Sequence, residues 1–154
     1  MDPTRWPSPV IRGGDGSPGR PPVNLPDLSG LRLLVVDDDD DALFITAHLL
    51  RACGASVVEA RNAWGALGYL ETHQFDVVVT DLAMPQMDGT EFLRRVRARQ
   101  DARRIAVIAL TAFPERYVPE LGVSFDAFLR KPVEIDDLAK AILNASAARR
   151  RPSG

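Results

Sequence analysis

"FDVVVTDLAMPQMDG", residues 75–89, sets an apolar run against a short loop containing Pro85 and Gly89, with Asp81 at the junction. The β-branched residues Val77, Val78 and Val79 pack well on a pleated surface and mark a strand. The run does not alternate apolar with polar, so both its faces must be covered, as in a parallel sheet flanked by helices. A carboxylate that follows such a strand is held at the carboxyl edge of the sheet, where open α/β sheets form their ligand sites.

The chain on either side repeats this pattern. Compact β-rich runs at 31–36, 56–59, 75–80, 105–110 and 125–129 make five expected strands, and "LRLLVV" and "IAVIAL" are as continuously apolar as the valine run. Between them lie stripes at helical spacing. The first is Ala42, Ile45, Leu49 and Ala52; the second is Ala63, Leu67 and Leu70 behind Asn62, a suitable N-cap. Phe92, Leu93 and Val96 form a third, and Leu138, Ala141, Ile142 and Ala145 the last, with Asp136 and Asp137 where a helix dipole favours acids. The β-α unit recurs five times, although Pro114 and Pro119 in "FPERYVPELGVS" predict a brief or irregular fourth helix. Right-handed crossovers then give an α/β fold, a doubly wound (βα)5 with a five-stranded parallel sheet.

The 154 residues are 45% hydrophobic, enough for one core, and 19 basic against 21 acidic residues give no broad footprint for nucleic acid or an anionic membrane. Residues 1–30 hold seven of the twelve prolines and five of the eleven glycines, which predicts a disordered tail. The ordered domain is expected over 31–147, with a short basic tail at 148–154. Cys53 is the only cysteine, so no intrachain disulfide forms; with no apolar segment of bilayer length, a cytoplasmic protein is expected.

Three strand ends carry chemistry: the first runs into Asp37 and Asp38, the third into Asp81 and the fourth into Thr111, while Lys131 follows the fifth. Carboxylates converging to about 5 Å repel by roughly 3 kcal/mol per pair at an effective dielectric near 20. A hard divalent cation relieves this, and Mg²⁺ takes oxygen ligands while keeping several waters. Asp81, if one oxygen stays free, is then a nucleophile of the aspartyl-phosphate type, with Thr111 and Lys131 on the remaining phosphoryl oxygens.

The stretches "VVDD" (35–38), "TDLAMPQMDG" (80–89), "ALTA" (109–112) and "FLRKP" (128–132) together resemble the receiver domain of response regulators. The resemblance implies a flavodoxin-like sheet of strand order 2-1-3-4-5, which receivers share with flavodoxin. It implies that Asp81 is the phosphoacceptor, that Asp37, Asp38, Asp81 and the carbonyl of Ala83 hold Mg²⁺, and that Thr111 and Lys131 sense the phosphate. It further implies that Phe128 is an aromatic switch and that Lys131–Pro132 is a cis peptide. The expected donor is a histidine kinase or a phosphotransfer protein, and the expected reader a separate downstream protein. The chain is expected to be a monomer or weak dimer and no enzyme beyond its own phosphorylation and dephosphorylation. Phe113 and Ala83 stand where the family tunes access of hydrolytic water.

Plainer readings bound these roles. Asp39, Asp40 and Asp41 fall where a helix N-terminus attracts acids, and Asp88 with Gly89 reads as turn and helix entry. The basic stretch from Arg94 to Arg104 lacks aromatic residues and reads as a solvated helix face. A phosphatase of the haloacid dehalogenase type would use Asp37, Thr111, Lys131, Asp136 and Asp137, but Asp41 stands where that plan needs Thr or Val, and Asp81 goes unexplained. A receiver that binds without phosphate is the other alternative, and it would leave gaps in the cluster.

Overall fold

The valine run becomes the central strand of one parallel sheet. In the structure, a computed structural model that describes residues 25–112 and 125–150, the strands are β1 (Arg32–Val36), β2 (Ser56–Ala60), β3 (Val77–Asp81), β4 (Ala106–Thr111) and β5 (Ala127–Arg130). They pair in the order β2-β1-β3-β4-β5, all parallel. The described helices are α1 (Asp40–Ala52), α2 (Ala63–Thr72), α3 (Gly89–Arg97) and α4 (Ile135–Arg150), with a 3₁₀ turn at Ala102–Arg104.

Alternation along each strand divides the core in two. Leu33, Val35, Val57, Val77, Val79, Ala106, Ile108 and Leu110 pack against α1 and α4 through Leu43, Ala47, Leu50, Leu138 and Ile142. Leu34, Val36, Val78 and Val107 point the other way, against Ala66, Leu70, Phe92, Leu93 and Val96 of α2 and α3. Covering both faces is why the strands read as unbroken apolar runs. β1 ends where expected, and each of the other four strands ends one residue further along the chain, so that Asp81 and Thr111 are the last residues of β3 and β4.

The structure corrects the expected face of α1. Ile45 keeps 55% of its accessible surface and Leu49 lies on the same open side, whereas Leu43, Ala47 and Leu50 are buried. The segment is apolar nearly all round, so periodicity alone leaves two phases open. Asp39 starts the helix, its carboxylate accepting from the Asp41 and Ala42 amides, and the packing of Leu43, Ala47 and Leu50 in the core beside the sheet sets the phase.

Both ends of the domain are also corrected. Residues 25–30 belong to the fold and not to a tail, since Leu28 is fully buried and its amide donates to the Cys53 carbonyl at 2.7 Å. At the other end α4 continues past Ala148 to Arg150, because Arg149 pairs with Asp126 at 2.8 Å. The expectations for residues 1–24, for Phe113, Pro114 and Pro119, and for 151–154 lie outside the described residues. Among the described residues no helix is long and apolar enough to cross a membrane.

Candidate functional site

Backbone pairing carries each site residue to the same edge. Beyond the end of β1, the Asp37 amide still donates to the Ala60 carbonyl at 3.1 Å, which fixes the residue where the strand stops. Asp37 is buried; its Oδ1 accepts from the Asp39 amide at 3.0 Å, tying the strand end to the N-cap of α1. Asp81 pairs in register with Leu110 of β4, and its Oδ1 accepts a long bond from the Ala83 amide at 3.3 Å. The Lys131 amide donates to the Thr111 carbonyl at 2.8 Å, so the end of β4 positions the lysine.

These anchors bring three carboxylates together. One oxygen from each of Asp37, Asp38 and Asp81 lies within 4.8 Å of the others, with Asp37 buried, Asp81 half-buried and Asp38 exposed. The Lys131 ammonium reaches over them, 3.0 Å from Asp37 Oδ2 and 3.5 Å from Asp81 Oδ2. Burial pushes the Asp81 carboxyl above the ordinary carboxylate range; Lys131 opposes this, the Asp37 charge adds to it, and the Ala83 amide opposes it. Burial also works against the Lys131 ammonium, but its hydrogen bond to Asp37 and the charges of Asp37 and Asp81 outweigh that and raise its pKa.

The loop from β3 into α3 supplies the rest of the rim. The Leu82 carbonyl accepts from the Met84 amide at 3.1 Å and the Gly89 amide at 2.9 Å, closing the loop on itself. Gln86 at its tip has φ +73°, a left-handed conformation uncommon for a residue with a side chain. Asp88 caps α3 through the Glu91 amide at 2.9 Å. Burial alone would raise the pKa of Asp88, but the Thr90 hydroxyl, the Glu91 and Thr90 amides and Arg94 together lower it. Ala83 is exposed beside Asp81.

Thr111 is buried at the end of β4, opposite Arg130 in register. Phe128 is half-buried and meets Phe125 edge to face at 6.2 Å between centroids. The Lys131–Pro132 peptide is cis. Asp39, Asp40 and Asp41 cap and open α1, and Asp136 and Asp137 lie in the first turn of α4; none of these acids joins the cluster. What the sequence does not signal is the pairing of Lys131 with Asp37, 94 residues away, because only the neighbouring β1, β3 and β4 bring them together.

Three hard oxygen donors at this spacing suit a small divalent cation, and the half-buried carboxylate beside an ammonium suits reaction with an anionic electrophile. Relatives share the sequence pattern and the architecture. Residues 33–143 match the family described as response regulator receiver domain. An uncharacterized 14.6 kDa protein of Leptolyngbya boryana is 38% identical over 117 residues, covering 75% of this chain and 89% of that protein. The sensor histidine kinase GacS of Pseudomonas protegens is 34% identical over 119 residues, covering 73% of this chain but only 13% of the kinase. Among solved structures, a response regulator receiver domain protein from Clostridium thermocellum superposes with a TM-score of 0.71 at 31% identity, over 78% of this chain and 97% of its own. The receiver domain of the Pseudomonas aeruginosa sensor histidine kinase PA1611, described with a magnesium ion coordinated in its active-site cleft, gives a TM-score of 0.72 at 26% identity, over 77% of this chain and 99% of its own. On the family match over most of the chain and the likeness of these sequences and structures, the chain belongs to the response-regulator receiver domain family of two-component signalling.

Proposed function

We propose that this chain is a phosphorylation-dependent switch in which Asp81 accepts a phosphoryl group from a phosphohistidine on a histidine kinase or phosphotransfer protein. The supporting observation is the division of labour at Asp81: Oδ1 is tied to the Ala83 amide, while Oδ2 faces Lys131 at 3.5 Å. Oδ2 attacks phosphorus, the P–N bond breaks, and its electron pair stays on the imidazole, which takes up a proton. Asp37, Asp38, Asp81 and the Ala83 carbonyl are the groups to hold Mg²⁺. A cation bound there screens the carboxylates from the incoming anion.

The chain's own residues do the remaining work. Lys131 neutralises part of the phosphoryl charge of roughly -1.5 to -2. Thr111, at the adjacent strand end, offers a hydroxyl to a phosphoryl oxygen, and its displacement makes room for Phe128 to bury itself. A bias of about 5.5 kcal/mol takes a two-state equilibrium from 1:99 to 99:1, a magnitude that a few charge-assisted bonds supply. The altered surface beside β5 is read by a separate protein.

The test is phosphotransfer from a phosphorylated histidine donor with Mg²⁺, followed by phosphate-affinity electrophoresis. The intact chain gains phosphate and Asp81→Asn does not; equal uptake by both rejects Asp81 as the acceptor. Addition of beryllofluoride with Mg²⁺ is expected to shift the resonances of Phe128, and silence there favours a phosphate-independent binding role.

A further inference from the structure

The first residue of α3 lies against the main chain of the acceptor residue itself. The Gly89 amide donates to the Leu82 carbonyl at 2.9 Å, so the helix start is fastened to the residue after Asp81. A Cβ placed on Gly89 would meet Leu82 Cδ2 at 2.5 Å, the Asp81 carbonyl oxygen at 2.9 Å and Leu82 Cα at 2.9 Å. Leu82 Cδ2 is the end of a side chain and can turn aside, but the other two atoms are backbone. The Asp81 carbonyl cannot yield freely either, because the Thr80 hydroxyl already donates to it at 2.8 Å. Leu82 and Thr80 are both fully buried, which leaves the strand end little room to recoil.

We propose that Gly89 is a positioning residue for phosphoryl acceptance: its missing side chain lets α3 clamp the Asp81–Leu82 backbone, which holds the Asp81 carboxylate and the Ala83 carbonyl in one geometry. The inference rests on the reading of Asp81 as acceptor. A methyl group at Gly89 displaces that backbone, and a displacement of even about 1 Å at a reacting group lowers rates by up to about 100-fold. The requirement is one of space and not of backbone conformation, since Gly89 is not among the residues with positive φ.

The experiment uses the full chain and compares wild type, Gly89→Ala, Leu82→Ala, the double variant Leu82→Ala/Gly89→Ala, and Gly68→Ala. A Cβ at Gly68 meets nothing within 4 Å, so that variant controls for the loss of a glycine. Two readouts are taken: Mg²⁺ affinity by calorimetry, and the rate of phosphorylation by acetyl phosphate at limiting donor. Gly89→Ala is expected to lose at least threefold in Mg²⁺ affinity and at least tenfold in rate, with Gly68→Ala within twofold of wild type. The double variant lacks the tightest contact and covers the case in which Gly89→Ala does not fold. It is expected to stay at least tenfold slower than Leu82→Ala, because the two backbone contacts remain. A double variant matching Leu82→Ala in both readouts overturns the proposal, since the effect would then run through core packing. If wild type binds Mg²⁺ but takes no phosphate, the acceptor reading fails, and the Mg²⁺ comparison alone decides the role of Gly89.

Discussion

Lys131 stands nearer to Asp37 than to Asp81, 3.0 Å against 3.5 Å, so the ammonium serves chiefly as counterion to the buried carboxylate at the end of β1. Removing it leaves three acids facing one another. Lys131→Ala is expected to cost about 2 kcal/mol of folding stability in EDTA, less than a fully buried pair because the lysine side chain keeps 28% of its surface. Saturating Mg²⁺ is expected to restore most of that loss and to bind more tightly than in wild type, since no internal cation competes. Urea titrations with and without Mg²⁺ check this, and an equal loss in both would refute the counterion role. The raised pKa of Lys131 sets the sign with pH: its contribution is complete below the unfolded value of 10.5 and is lost as pH climbs through the folded value.

Asp81 carries the opposite sign. Burial first, with Asp37 adding to it, raises its carboxyl pKa, so the folded state holds the ionised form at a cost above the unfolded value of 3.8. Asp81→Asn is therefore expected to stabilise the Mg²⁺-free protein at pH 7 by on the order of 1 kcal/mol, or several degrees in Tm. The gain grows as pH rises through the folded pKa and vanishes below the unfolded one, where both side chains are neutral. Thermal melts in EDTA between pH 3 and pH 8 test this; a gain that persists at the acid end would contradict it.

The strands were legible because continuous runs such as Val77–Val79 follow directly from coverage on both faces. The acidic edge was legible too, since Asp37, Asp81 and Thr111 end strands whose carboxyl ends must share one side of a parallel sheet. Two kinds of feature were not. The phase of α1 is hidden because Phe44, Ile45 and Leu49 are as apolar as Leu43 and Leu50, and only tertiary packing separates the two faces. Burial of Leu28 was hidden because it follows a Pro- and Gly-rich stretch, and its partner, the Cys53 carbonyl, is set by tertiary packing.

Asp126 is expected to matter for stability and not for signalling chemistry. Its Oδ2 accepts from the Val107 amide at 2.8 Å and from Arg97 at 2.7 Å, while Oδ1 accepts from Arg149 at 2.9 Å. One carboxylate thereby joins α3, the start of β4 and the end of α4. Asp126→Ala leaves an amide and two guanidinium groups short of a partner and is expected to cost about 2–3 kcal/mol. Asp126 bonds at the start of β4, whereas Thr111 ends that strand at the acidic edge, so Mg²⁺ affinity is expected to change less than twofold. A large change in that affinity would show coupling between the two ends of the sheet.

The two faces of α1 give the last test, because their side chains are chemically alike and differ only in burial. Leu43 and Leu50 sit in the core between α1 and the sheet, and either one changed to Ala is expected to cost about 2–5 kcal/mol through lost transfer energy and the cavity left behind. Phe44 and Ile45 keep 64% and 55% of their surface, so changing either to Ala removes few packed atoms and is expected to stay within about 0.5 kcal/mol of wild type. Alanine's higher helix propensity moves the exposed variants slightly toward stability, which widens the contrast. Equilibrium urea unfolding of the four single variants measures it directly. Comparable losses at Ile45 and Leu50 would mean that the helix sits in the other phase, with the Ala42, Ile45, Leu49 and Ala52 stripe turned toward the sheet.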